Sequence, residues 1–191
     1  MSDLTITTGG ISESIVSGNR RSGAIVRVKP TLLTAQTDDD DVMFNATEIP
    51  NAVRTQGGLS KLRGITVLDN NQRSAAMNIF FMQVQTNFGS QGSNPNITDA
   101  NLSVAKVIGA IDWAHTDGQC VISQDSGSAS ISTSMGQSDN STWRSLPMLL
   151  QAEDNSTSVY FTATLNMADN SNKTYPAVDT LEFIFHIEYL D

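Results

Sequence analysis

His115 and His186 are the only imidazoles in this 191-residue chain, and they stand far apart in the sequence. A histidine triad or a two-histidine metal site needs partners within hydrogen-bonding or coordination reach, and no local motif provides them. The chain has no GxSxG, HExxH, phosphate-binding loop or dinucleotide fingerprint. One segment, Asp112-Trp113-Ala114-His115-Thr116-Asp117-Gly118, crowds acid, aromatic ring and imidazole together, the residue types of a metal or sugar site. A strand leaving through an Asp117-Gly118 turn accounts for the same residues more simply. Glutamate occurs only at positions 13, 48, 153, 182 and 188. Glu182 and Glu188 share a strand face but lie roughly 20 Å apart at about 3.3 Å per residue, too far for paired acid–base work.

Asp38-Asp39-Asp40-Asp41 raises the question of calcium. Calcium loops space their ligands and place a glycine at the turn, so this run reads as a solvated loop. Cys120 is the single cysteine, which excludes an intrachain disulfide and a cysteine cluster, and it reads as a small apolar residue beside Val121 and Ile122. The expectation is a non-enzymatic protein with no cofactor and no metal.

The composition is 39% hydrophobic and 16% charged, so Ser, Thr, Asn, Gln and Gly carry much of the solubility. Ser, Thr and Asn compete with the helical backbone for hydrogen bonds, which favours strands and turns. The net charge of −9 is uneven: residues 1–106 hold nine basic and nine acidic side chains, residues 107–191 two basic and eleven acidic. Nucleic acid needs clustered Lys and Arg, so no nucleic-acid partner is expected. The one basic concentration is Arg20, Arg21, Arg27 and Lys29. It reads either as a solvated strand edge or as an arm that docks on an acidic protein surface. The opening MSDLTITTGG lacks the basic and apolar regions of a secretory signal, and no window approaches the roughly 18 apolar residues of a membrane span. The expectation is synthesis in a cytosol and no membrane partner.

Residues 1–21 hold Gly9, Gly10 and Gly18 among isolated apolar residues and read as an extended arm; residues 22–191 read as one domain. Ala24, Val26 and Val28 alternate with Ile25, Arg27 and Lys29 as in a strand. Leu62, Thr66 and Leu68 alternate with Ile65 and Val67. The turn Asp69-Asn70-Asn71-Gln72 and the return strand Ala75 to Val84 then predict a β-hairpin. That return strand is apolar on both faces, so it is central or covered. Thr98 to Ile108 predicts a short helix capped by Thr98, with Leu102, Ala105 and Val107 on one face. Residues 107–113 turn strand-like, and 123–142 read as a polar loop with one weak strand near Ile131. Two strands follow: Val159, Phe161, Ala163 and Leu165 mark the first, and Leu181, Phe183, Phe185, Ile187 and Tyr189 the second. The fold class is all-β: a β-sandwich or jelly-roll-like single domain with an extended N-terminal arm and one short helix.

The order of short segments carries a resemblance. Asp41-Val42, Ile49-Pro50-Asn51-Ala52-Val53-Arg54, Gly57-Gly58, LRGITVLDNNQ (62–72), NIFFMQ (78–83), IDWAH (111–115), SVYFTATL (158–165) and LEFIFHIEYLD (181–191) follow one another. This series resembles that of the capsid decoration, or cement, proteins of tailed bacteriophages, small virion structural proteins. The resemblance implies binding to the major capsid protein on the outside of the shell, assembly as a homotrimer, and a place on the virion after synthesis in the host cytoplasm. With the lopsided charge it suggests that Arg20, Arg21, Arg27 and Lys29 face the shell and that the acidic C-terminal part faces solvent. A tail or head-completion (neck) protein and a carbohydrate-binding β-sandwich are the alternatives.

Overall fold

The structure, a computed structural model, describes residues 4–8, 11–15, 22–73, 75–113, 120–124, 127–134, 146–166, 173–178 and 180–190. In chain order the strands are β1 (Leu4–Thr8), β2 (Ile11–Ile15), β3 (Gly23–Val28), β4 (Gln36–Thr37), β5 (Val42–Ile49), β6 (Leu59–Asp69) and β7 (Met77–Met82). The one described helix, α1 (Asp99–Ala105), leads into β8 (Val107–Trp113), β9 (Cys120–Gln124), β10 (Gly127–Ser134), β11 (Met148–Gln151), β12 (Val159–Leu165), β13 (Lys173–Thr174) and β14 (Leu181–Tyr189).

Two antiparallel sheets make the body. One runs β3-β14-β6-β10-β9, with β11 also on β6; the other runs β5-β12-β7-β8. If β3, β5, β6, β7, β8, β10, β12 and β14 are numbered one to eight, the sheets read 1-8-3-6 and 2-7-4-5. This alternation of consecutive strands between two sheets is the wrapping of a jelly roll. The fold is the expected all-β sandwich, with a single short helix among the described residues.

The inner faces meet in a phenylalanine core. Phe161 of β12 lies 5.2 Å from Phe44, 5.1 Å from Phe183 and 4.9 Å from Phe185, all edge-on, the geometry that aromatic quadrupoles favour. The outer face of β7 is apolar because residues 83–106 fold over it: Phe80 packs on Phe88 at 5.1 Å, beside Met82, Ala105 and Tyr160. The two-faced strand is therefore covered by its own chain. Thr98 caps α1 by accepting the Asn101 N–H, and Lys106 ends it in the left-handed region at φ 49.

Four expectations are corrected. The predicted hairpin at 62–84 does not form: β6 and β7 lie in different sheets, and residues 70–76 carry the chain between them. The near-fully buried Asp69 carboxylate accepts the Asn71 and Arg73 N–H groups at 2.9 and 2.7 Å, which turns the chain out of the first sheet. Leu62 faces the core with Ile65 and Val67 because a bulge opposite His186 and Ile187 shifts the pairing by one residue. The helix ends before Val107, which opens β8, and Leu102 is exposed. The stretch 123–142, read as a polar loop with one weak strand near Ile131, contains the end of β9 and all of β10, which pair with each other, and β10 also pairs with β6. Within residues 1–21, β1 and β2 pair in a two-stranded sheet of their own. The sequence signal for it is the Gly9-Gly10 pair between two alternating runs.

No helix among the described residues is long and apolar enough to cross a membrane.

Candidate docking surface

β3 is an edge strand. Its inward residues Val26 and Val28 pack on the core, while Ile25, Arg27 and Lys29 are exposed. From Gly23↔Glu188 to Val28↔Phe183 it pairs with β14, and among the described residues with no other strand. Gly23 lets the strand enter close: a Cβ there would collide with the Ile187 carbonyl oxygen.

Ile25 is 65% exposed, more than any other large apolar residue among those described. Two open depressions meet at it. One, about 490 Å³, lies on the outer face of the sheet beside Arg63 and His186. The other, about 600 Å³, lies along the strand edge against the Pro50–Arg54 turn and Tyr189. The Tyr189 hydroxyl donates to the Asn51 carbonyl at 2.9 Å, and the Arg54 guanidinium sits 5.1 Å above the Tyr189 ring. These contacts fix the far wall of the groove.

Ion pairs tie basic residues of this surface to the acidic C-terminal strand. Arg27 Nη1 meets Glu182 Oε1 at 3.2 Å and Arg63 Nε meets Glu188 Oε2 at 3.3 Å. The acidic C-terminal strand β14 runs between β3 and β6, and β12 likewise runs between β5 and β7. Strands from the neutral and the acidic parts of the sequence are thus interleaved in each sheet. Of the four basic candidates, Arg27 lies on the exposed face of β3 and Lys29, also exposed, just after it, while Arg20 and Arg21 lie outside the described residues. The sequence reading missed Ile25, Arg54 and Tyr189. Ile25 was visible as an apolar residue on the Arg27–Lys29 face of an alternating strand, but the other two come together only through the fold.

Other candidates are absorbed by structure. His186 Nε2 is 3.1 Å from Thr66 Oγ1, which is 2.9 Å from Thr133 Oγ1, a hydroxyl network across three strands. Asp41 is buried and accepts the Asp38 N–H at 3.1 Å, so the aspartate run is in part a structural turn. Cys120 is exposed on the edge strand β9, with Val121 and Ile122 also exposed. His115, Asp117 and Gly118 lie outside the described residues. Among the described residues no group of three His, Cys, Asp or Glu side chains could hold a metal ion.

No family model matches the chain. No curated protein matches it either. A solved structure of infectious bursal disease virus, Gx strain, aligns with 98% of this chain and 46% of that chain at 10% identity, with a TM-score of 0.19. That likeness is too low to carry an argument.

Proposed function

We propose that this chain is a capsid decoration protein of a tailed bacteriophage, which binds the outer surface of the major capsid protein shell and stabilises it. The observation that carries the reading is the open edge of β3. An unpaired strand edge offers N–H and C=O groups to an extended partner segment, and the adjoining groove takes its side chains. Ile25 supplies an apolar anchor, and Arg27, Arg54 and Arg63 line the depressions beside it, Arg27 and Arg63 in exposed ion pairs that a partner carboxylate can exchange, the pairing of anchor and arginine common at interface centres. The complement is an extended, acidic segment of a shell protein. The order of sequence segments, which resembles that of decoration proteins, supports the same reading.

Copy number in purified virions tests it. Densitometry against the major capsid protein is expected to give hundreds of copies per particle. A ring-like stoichiometry of about six or twelve would move the chain to the neck or tail, and absence from virions would end the proposal.

A further inference from the structure

A second concave site lies on the outer face of the other sheet, across the sandwich from the β3 groove. It is a depression of about 370 Å³ lined by Asn78, Phe80, Ala110, Ile111, Asp112 and Asn166. The volume falls within the range of small-ligand pockets, about 300–1,000 Å³. Register places its polar side chains. Asn78 of β7 stands opposite Asp112 of β8 and opposite Thr164 of β12. Asn166, just past β12, is held by its own N–H, which donates to the Ala76 carbonyl at 2.9 Å. The segment that covers the outer face of this sheet packs on Phe80 and Met82. Beyond Phe80 the face turns polar.

The three polar side chains converge. Asn166 Nδ2 donates to Asn78 Oδ1 and to Asp112 Oδ1, each at 3.3 Å. Those bonds engage one atom of each side chain. Asn78 Nδ2 remains as a donor, and Asn166 Oδ1 and Asp112 Oδ2 remain as acceptors. The carboxylate fixes the orientation of the Asn166 amide, because its oxygen turned toward Asp112 would face a negative charge. An NH₂ group therefore points where a bound cation would need oxygen ligands, which argues against a metal. Among the described residues no Lys or Arg lines the depression, and Asp112 repels anions, which argues against phosphate, nucleic acid and acidic sugars.

A ligand that satisfies one donor and two acceptors, fits beside an aromatic ring and carries no charge is a polyhydroxylated ring. We infer that this depression binds a neutral saccharide, with Asp112, Asn78 and Asn166 bonding its hydroxyls and Phe80 receiving its C–H face. The site is separate from the β3 edge and stands whether or not the chain decorates a capsid.

Saturation-transfer NMR on the full chain tests this with galactose, glucose, N-acetylglucosamine and, as the acidic control, N-acetylneuraminic acid. Transfer to at least one neutral sugar is expected, reduced about tenfold or more in Asp112→Asn and Asn166→Ala, as follows when a polar site loses a partner. Lys61→Ala, in the other sheet, is expected to leave it unchanged. Thermal melts establish that the variants fold, and Asn166→Asp, which replaces the donor by a second carboxylate, serves if Asn166→Ala does not. Absence of transfer to all three neutral sugars, equal transfer to N-acetylneuraminic acid, or full transfer in folded site variants would each overturn the inference.

Discussion

Arg27 Nη1 lies 3.2 Å from Glu182 Oε1, tying the edge strand to its neighbour. The arginine side chain is 60% exposed, so the pair contributes only about 0.2–1 kcal/mol to the fold. Arg27 can exchange Glu182 for a partner carboxylate at little cost. The double variant Arg27→Glu/Lys29→Glu is therefore expected to melt within a few degrees of wild type yet lose most of its capsid occupancy, measured by densitometry after mixing with undecorated shells. Ile25→Asp is expected to do the same without changing the basic charge. Unchanged occupancy in both would remove the β3 edge as the docking site.

Phe161 is fully buried and meets phenylalanines from both sheets. Phe161→Ala removes the ring that joins the two layers and is expected to cost about 3–5 kcal/mol. Phe161→Leu, which keeps most of the volume, is expected to cost less than half of that. Urea unfolding monitored by tryptophan fluorescence reads both, and a loss below about 1 kcal/mol for Phe161→Ala would mean that the core closes around the gap.

The alternation in β3, β12 and β14 was legible because one face of each packs apolar side chains against the other sheet, while the opposite face carries mostly polar ones, such as Thr162 and Thr164 of β12. The β6–β7 relationship was not legible. A turn-rich stretch between two apolar runs reads as a hairpin, and only the non-local pairing of β6 with β14 and β10 shows that the runs belong to different layers. β10 left only a weak signal near Ile131 for a related reason: its serines and threonines carry little hydrophobic signal, yet Ser130 and Ser132 are buried by tertiary context. At the docking surface the basic residues were legible as a charge cluster. The groove beside them was not, since Arg54 and Tyr189 are distant in sequence. The saccharide depression was half legible: Asp112 was singled out, but with His115 as its companion rather than Asn78 and Asn166.

Asp69 accepts two backbone N–H groups at the point where the chain leaves the first sheet. Bonds to a charged acceptor are worth about 1.5–3 kcal/mol each, and their loss leaves donors unpaired. Asp69→Ala is expected to cost about 2–4 kcal/mol in chemical unfolding, and Asp69→Asn, which retains one carbonyl oxygen as an acceptor, roughly half as much. A neutral outcome for Asp69→Ala would show that water replaces the carboxylate in the turn.

Tyr175 is 2% exposed, and its buried hydroxyl has no hydrogen-bond partner among the described residues. Burial drives the phenol pKa far above its ordinary value, the nearby Asp69 charge adds to this, and Arg73 opposes it. In the unfolded chain a tyrosine ionises near pH 10, whereas in the folded chain this one keeps its proton well beyond that. Below about pH 10 the group is protonated in both states and contributes no slope. Above it the unfolded chain loses the proton first, so stability falls by about 1.4 kcal/mol per pH unit. Tyr175→Phe removes the unpaired hydroxyl and the titration together. The expected result is a stability at pH 7 equal to wild type or up to about 1–3 kcal/mol above it, and a shallower decline between pH 10 and 12 in urea titrations. A Tyr175→Phe variant less stable at pH 7 would show that the hydroxyl has a partner in the native protein, and an unchanged alkaline slope would assign the decline to another group.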